Sequence, residues 1–215
     1  MKRNNEGTKR NTFKTQFFDG VVLDGKFEFP RVYAQSTILD CEFLPFNIYR
    51  GAKNKNKIGV HFFIDDYHFE CLWQNVERYV DMLRQAKVVI GPDFSIYADM
   101  PITMQIYNAY RNRALTAFLQ SRGVKVVPVI SWSDESSFEW CFDSIEKGSA
   151  VAISSNGATK SKSALQAFLK GYQKMKEKIK PSQILFVGRI PKELEKEQLI
   201  KIKSFSQILK ERLGG

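Results

Sequence analysis

"KVVIGPDFSIYADMPITMQIYNAYRNR", residues 87–113, runs from three apolar residues through a Gly-Pro turn into two acids and a long amphipathic stretch. Val88, Val89 and Ile90 have no polar residue between them, which is how a strand reads when both of its faces are covered. Pro101 and Gly123 bracket the periodic segment that follows, so a helix is predicted over 101–123. The same strand-then-helix unit recurs on either side. "IGVHFFI" (58–64) precedes a helix over 69–85, and "VKVVPVISW" (124–132) precedes a short helix over 136–145. "SAVAISS" (149–155) precedes a helix over 162–179, and "QILFVG" (183–188) precedes a closing helix over 196–213. Such alternation predicts an α/β fold: β-α units around a mainly parallel sheet with right-handed crossovers. Whether the sheet is a partial barrel or an open, doubly wound one stays undecided at this point.

Working outward, residues 17–57 read as a β-rich N-terminal part broken at Gly20, Gly25 and Pro30. Residues 1–16 are polar and basic, a flexible arm by composition. The expected organisation is therefore that arm followed by one α/β domain over 17–215. Within it lie a β-α core (58–190) and a basic C-terminal helix (191–215). A chain of 215 residues with 43% hydrophobic content can bury a substantial core. It contains no apolar run long enough to span a bilayer and no secretory leader, so a soluble, cytoplasmic protein is expected.

The net charge of +10 is unevenly distributed. Residues 160–215 carry fourteen Lys/Arg against five Glu, residues 1–16 carry five against one, and the stretch between is slightly acidic. Basic ends suit a polyanion, so nucleic acid or a nucleotide is an expected partner; a solvated Lys-rich helix explains the charge equally well. Cys41, Cys71 and Cys141 are widely spaced and odd in number, which argues against a disulfide framework and a structural zinc site. Neither a Walker loop nor a G-x-G-x-x-G is present, which disfavours triphosphate and dinucleotide chemistry.

In parallel α/β proteins ligands bind at the carboxyl ends of the strands. Those ends carry Asp65 and Asp66, Asp93, Trp132 and Asp134, Asn156, and Arg189. Asp93, Asp65, Asp66 and Asp134 are the candidate catalytic acids. Converged carboxylates raise one another's pKa or gather a hard divalent cation such as Mg, for which Asp65 and Asp93 are the candidate ligands. Trp132, Arg113, Arg111, Asn156 and Arg189 are the candidate substrate-binding groups. Each has a plainer reading. Asp134 fits a helix N-cap, Trp132 fits core filler, and Arg113, on the apolar stripe of its helix, fits an ion pair with Asp93 or Asp99. His61 alternates with its strand neighbours and reads as a core histidine.

"VHFFIDDYHFE", "GPDFSIYADMP", "QIYNAYRNR" and "VVPVISWSDESSFEWCFDSIEKGSAVAISSNG" resemble a family of bacteria, phages and plasmids described only as a domain of unknown function. The resemblance runs from about Ile58 to Gly157, and more loosely to Gly188. It departs at Ser144, where the family's pattern has glycine. It implies a mobile-element or bacterial intracellular setting and brings no activity. Three functions remain open: a nucleic-acid-associated protein with metal-dependent phosphodiester or nucleotide chemistry, a non-catalytic binding or regulatory module, and a metal-free glycosidase or ribosyl hydrolase using two carboxylates.

Overall fold

The computed structural model describes residues 12–35, 41–158 and 160–213, with side-chain surroundings up to residue 210. Most of the basic arm expected over 1–16 therefore lies outside the described residues. A small antiparallel hairpin, β1 (Leu23–Asp24) and β2 (Phe29–Pro30), comes first. Seven parallel strands follow: β3 (Glu42–Pro45), β4 (Ile58–His61), β5 (Val88–Ile90), β6 (Val126–Val127), β7 (Val151–Ser154), β8 (Ile184–Val187) and β9 (Leu199–Ile202). They pair in chain order, β3 to β6 and β7 to β9, and a parallel bridge between Val129 and Ala152 joins the two sets. A doubly wound sheet reverses its strand order; this one does not, so the sheet is singly wound and barrel-like.

The packing explains the curvature. Phe43, Phe63, Val88, Ile90, Val127, Val129, Ala152, Leu185, Val187 and Ile202 form one apolar cluster drawn from nearly every strand, the inside of an incomplete barrel. Alternate residues such as Val60, Val89 and Val126 face outward beneath the helices. Both faces are buried, so the strands lack polar alternation. Gly59 is required on the inner face because a Cβ there would lie 2.5 Å from the ring of Phe43.

The helices are α1 (Phe46–Tyr49), α2 (Glu70–Gln74), α3 (Glu77–Arg84), α4 (Ile102–Ser121), α5 (Lys162–Ile179) and α6 (Phe205–Leu213). α4 begins after Pro101 and stops before Gly123, whose φ of +76° ends the helix. α5 is capped by Ser161, whose Oγ accepts the Ala164 N–H at 3.1 Å.

Three expectations change. The helix over 69–85 is two helices, because Asn75 takes a non-helical conformation (φ −151°, ψ 73°) between α2 and α3. The helix over 136–145 is a single 3-10 turn, Glu135–Glu139, followed by irregular chain whose carbonyls are claimed from elsewhere, as described below. The closing helix over 196–213 is strand β9 and then α6. Leu199, Ile200 and Ile202 fit either period. Pairing with β8 places Ile200 and Ile202 against the inner cluster, and that burial decides in favour of a strand.

Ser144 has φ +63°, a left-handed conformation that favours glycine. Its Oγ donates toward Asp24 O (2.9 Å) and Phe29 O (3.1 Å), tying the hairpin to the core, and its own carbonyl accepts the Val32 N–H. Ser144→Ala keeps the strain and loses the ties, so a destabilisation of about 1–2 kcal/mol is expected in chemical denaturation. Ser144→Gly relieves strain in exchange and should fall within about 1 kcal/mol of the parent. Equal losses for the two would contradict this.

Candidate functional site at the mouth of the strands

Because the seven strands are parallel, their carboxyl ends share one side. The loop after β4 presents Asp65 and Asp66, and the loop after β5 presents Asp93. The second loop lies low because Gly91 lets it: a Cβ there would sit 2.6 Å from Thr116 Oγ1 on α4. Asp93 is half-buried and accepts a hydrogen bond from Ser131 Oγ at 2.7 Å. Loss of solvent pushes its carboxyl up to about 7; the Ser131 bond opposes the rise and the negative Asp66 adds to it. A carboxyl shifted in this direction is suited to general acid or base chemistry near neutrality.

Its neighbours are held by α4. Asn112 clamps the backbone of Phe94 from both sides: its Oδ1 accepts the Phe94 N–H at 2.8 Å and its Nδ2 donates to Phe94 O at 3.1 Å. Asn108 Nδ2 donates to Ser95 O at 2.7 Å. Asp66 accepts both the Ser95 N–H (3.1 Å) and Ser95 Oγ–H (2.9 Å). The two acid-bearing loops are therefore stitched together through Ser95. Of the four candidate acids, Asp66 and Asp93 are brought within electrostatic reach of each other.

The arginines do something else. Arg111 pairs with Glu70 on α2 and lies flat over Phe94, 3.4 Å from the ring centroid, with Trp73 at 5.3 Å and Tyr107 at 5.7 Å. Arg113 is buried and pairs with neither Asp93 nor Asp99. Its guanidinium donates to three carbonyls: Val129 O (3.2 Å), Cys141 O (2.6 Å) and Asp143 O (3.3 Å). That is why residues 140–144 do not continue as a helix. Burial pulls the Arg113 pKa down to about 10, which leaves it charged at neutral pH.

The other candidates have local partners. Asp134 is exposed and caps its own turn, accepting from Ser136 N (2.9 Å) and Ser136 Oγ (2.6 Å). Trp132 stacks on Phe168 at 5.3 Å and lies across Gly171, where a Cβ would meet its Nε1 at 2.1 Å. The Asn156 N–H donates to Ser154 Oγ, and Arg189 is exposed while its carbonyl accepts from Ser155 Oγ. Asp65 is exposed. Among the described residues no three His, Cys, Asp or Glu side chains gather as a metal cage. Both Asp66 oxygens accept hydrogen bonds from Ser95 and Asp65 is exposed, so these residues do not form a ready-built cage for a hard cation.

Residues 21–206 match the model of a family described as a domain of unknown function (DUF4417). The chain belongs to this family. The "Gene 1 protein" of Mycobacterium phage L5 is 34% identical over 180 residues, covering 80% of this chain and 79% of that protein. The "Gene 1 protein" of Mycobacterium phage D29 is 38% identical over 132 residues, 61% of this chain and 49% of that protein, so this chain spans about half the length of that relative. No solved structure matches the chain at a significant level.

In this DUF4417 chain the "GPDFS" and "YNAYRNR" segments prove to be mutual partners, with Asp93 the member whose carboxylate meets only a hydroxyl. Sequence reasoning missed two participants. Ser131 was visible at the end of its strand but carried no distinguishing signal. Glu70 was not singled out as a partner for Arg111. His61, read as a core residue, is fully buried on the inner face, with Nδ1 accepting the Phe63 N–H at 3.2 Å and no partner at Nε2. Burial lowers its pKa to about 4. Period-2 alternation through Gly59 and His61 was the available signal for its facing the barrel interior. Two open grooves, of about 300 Å³ and 520 Å³, border β8 and β9, the smaller reaching Gly188 and Ile190 just past the carboxyl end of β8.

Proposed function

We propose that this protein is nucleic-acid-associated and that its mouth handles a nucleotide unit, with Asp93 as the group that gives or takes a proton. The single observation that carries the reading is the Asp93 carboxyl, lifted to about 7 beside Asp66 at the open end of a parallel barrel. Below its pKa Asp93 is a hydrogen-bond donor toward a phosphate or base; above it, an acceptor or base. Tyr67 and Tyr97, on the same two loops, are 72% and 57% exposed, and such rings offer faces on which a base stacks. The test is equilibrium binding of mononucleotides and short oligonucleotides at pH 5.5 and 8.5. Binding at least about fivefold tighter at pH 5.5, with the difference abolished in Asp93→Asn, is the expected result. Absence of binding, or a pH dependence unchanged in the variant, counts against the reading.

A second reading, a non-catalytic module, is favoured by the Asp66–Ser95–Asn108 and Phe94–Asn112 contacts, which hold loops together without needing a ligand. It requires Asp93 to be scaffolding, and the stability measurement that opens the Discussion separates the two.

A further inference from the structure

Parallel strands place their amino ends together as surely as their carboxyl ends, and at that end a lysine stands before every strand from β4 to β9. Lys57, Lys87 and Lys125 immediately precede β4, β5 and β6. Lys147 and Lys180 stand four residues before β7 and β8, and Lys196 three before β9. All six are exposed, and none is in an ion pair among the described residues. Lys180 and Lys196 also line the larger of the two grooves.

Acids also occur at this end: Glu42 opens β3 and is exposed, while others are taken up. Asp81 pairs with Arg84, Glu197 with Lys176, and the Glu146 carboxylate accepts the Ala34 N–H at 2.8 Å. Lysines in the last turn of a helix complement its dipole and need no ligand. That explains Lys180, the cap of α5, and Lys57, the end of a 3-10 turn over Lys55–Lys57, but not Lys87, Lys125, Lys147 or Lys196, which lie outside any helix.

We propose that this collar is a docking face for the phosphate backbone of double-stranded nucleic acid, at the opposite end of the barrel from Asp93. The inference rests on the nucleic-acid association proposed above and separates it in space from the mouth. Three features select the partner. The face offers flexible point charges, which neutralise phosphates without reading sequence. The six lysine-bearing turns expose no large apolar side chain, as insertion into a lipid interface would require. Nor do they present the successive aromatic platforms on which single strands stack.

The experiment is fluorescence anisotropy of a labelled random-sequence duplex titrated with the full chain between 50 and about 200 mM salt. Two triple variants with the same charge change are compared. One replaces Lys125, Lys147 and Lys180 by Gln; the other replaces Lys160, Lys162 and Lys192, which lie outside the collar. The collar triple should weaken duplex binding by at least about tenfold and reduce the log–log salt slope by about 2–3, while the control triple stays within about twofold of the parent. Equal weakening by both triples overturns the collar and leaves the nucleic-acid reading standing. No duplex binding by the parent chain at 50 mM salt overturns both. Binding to phosphatidylserine vesicles in preference to the duplex overturns the choice of partner.

Discussion

Asp93→Asn is expected to raise the melting temperature at pH 8 by roughly 4–8 °C, equivalent to about 2 kcal/mol for a chain of this size. The wild-type carboxyl, lifted from 3.8 to about 7, must be ionised at pH 8 in a place that favours its neutral form. Three pKa units set an upper bound of about 4 kcal/mol on that cost. We expect about half because the group is only half-buried. Asparagine keeps an oxygen to accept from Ser131. A folded pKa above the unfolded one means that the native state holds the extra proton, so Asp93 lowers stability as pH rises from about 4 to 7.

His61 works in the opposite direction. Its folded pKa, lowered to about 4 from 6.5, means that the unfolded state takes up the extra proton, so its contribution is lost as pH falls through the same window. The two slopes oppose each other between pH 4 and 6.5 in the wild type, with the fully buried histidine the steeper. In Asp93→Asn the histidine limb stands alone, and stability should fall by about 3 kcal/mol from pH 6.5 to 4. Thermal or urea melts across that range read both effects. A variant less stable than the parent at every pH would make Asp93 a scaffold residue and favour the non-catalytic module.

Arg113→Met should produce the largest loss among single changes in the core, about 3–5 kcal/mol in urea denaturation. Methionine keeps the apolar stem of arginine but lacks the guanidinium, so the change is chiefly one of hydrogen bonding. The buried carbonyls of Val129 and Cys141 and the half-buried one of Asp143 lose their donor at once. These carbonyls belong to the end of the β6 segment and to the irregular 140–144 stretch, so their separation would also loosen the Ser144 ties to the hairpin. Arg113→Lys should recover part of the loss, since one ammonium cannot reach three carbonyls in the fork geometry of a guanidinium. A loss below about 1 kcal/mol for Arg113→Met would mean that water or backbone movement satisfies those groups.

The legible parts of the sequence were those governed by local periodicity and by the common direction of the strands. Val88–Ile90, the ends of α4 and the span of α5 follow from apolar spacing, Pro101, Gly123 and the Ser161 cap. Parallelism put Asp66 and Asp93 on one rim, but it did the same for Asp65 and Asp134, so it did not single out the pair that meets. Barrel curvature was not legible, because it depends on how Phe43 fills the space above Gly59 and on what the inner residues jointly bury. Arg113 was marked as anomalous by its place on an apolar stripe, but its partners are carbonyls that no residue type announces. The β9 segment failed for a different reason: Leu199, Ile200 and Ile202 satisfy both periods, and only pairing with β8 separates them.

The most direct measurement is a carbon-13 NMR titration of the Asp93 side-chain carboxyl in the folded protein. A midpoint near 7 is expected, falling in Asp66→Asn as the neighbouring charge is removed and rising in Ser131→Ala as the hydrogen bond is lost. A midpoint near 4, unmoved by either substitution, would contradict a proton-handling group at the mouth of the barrel.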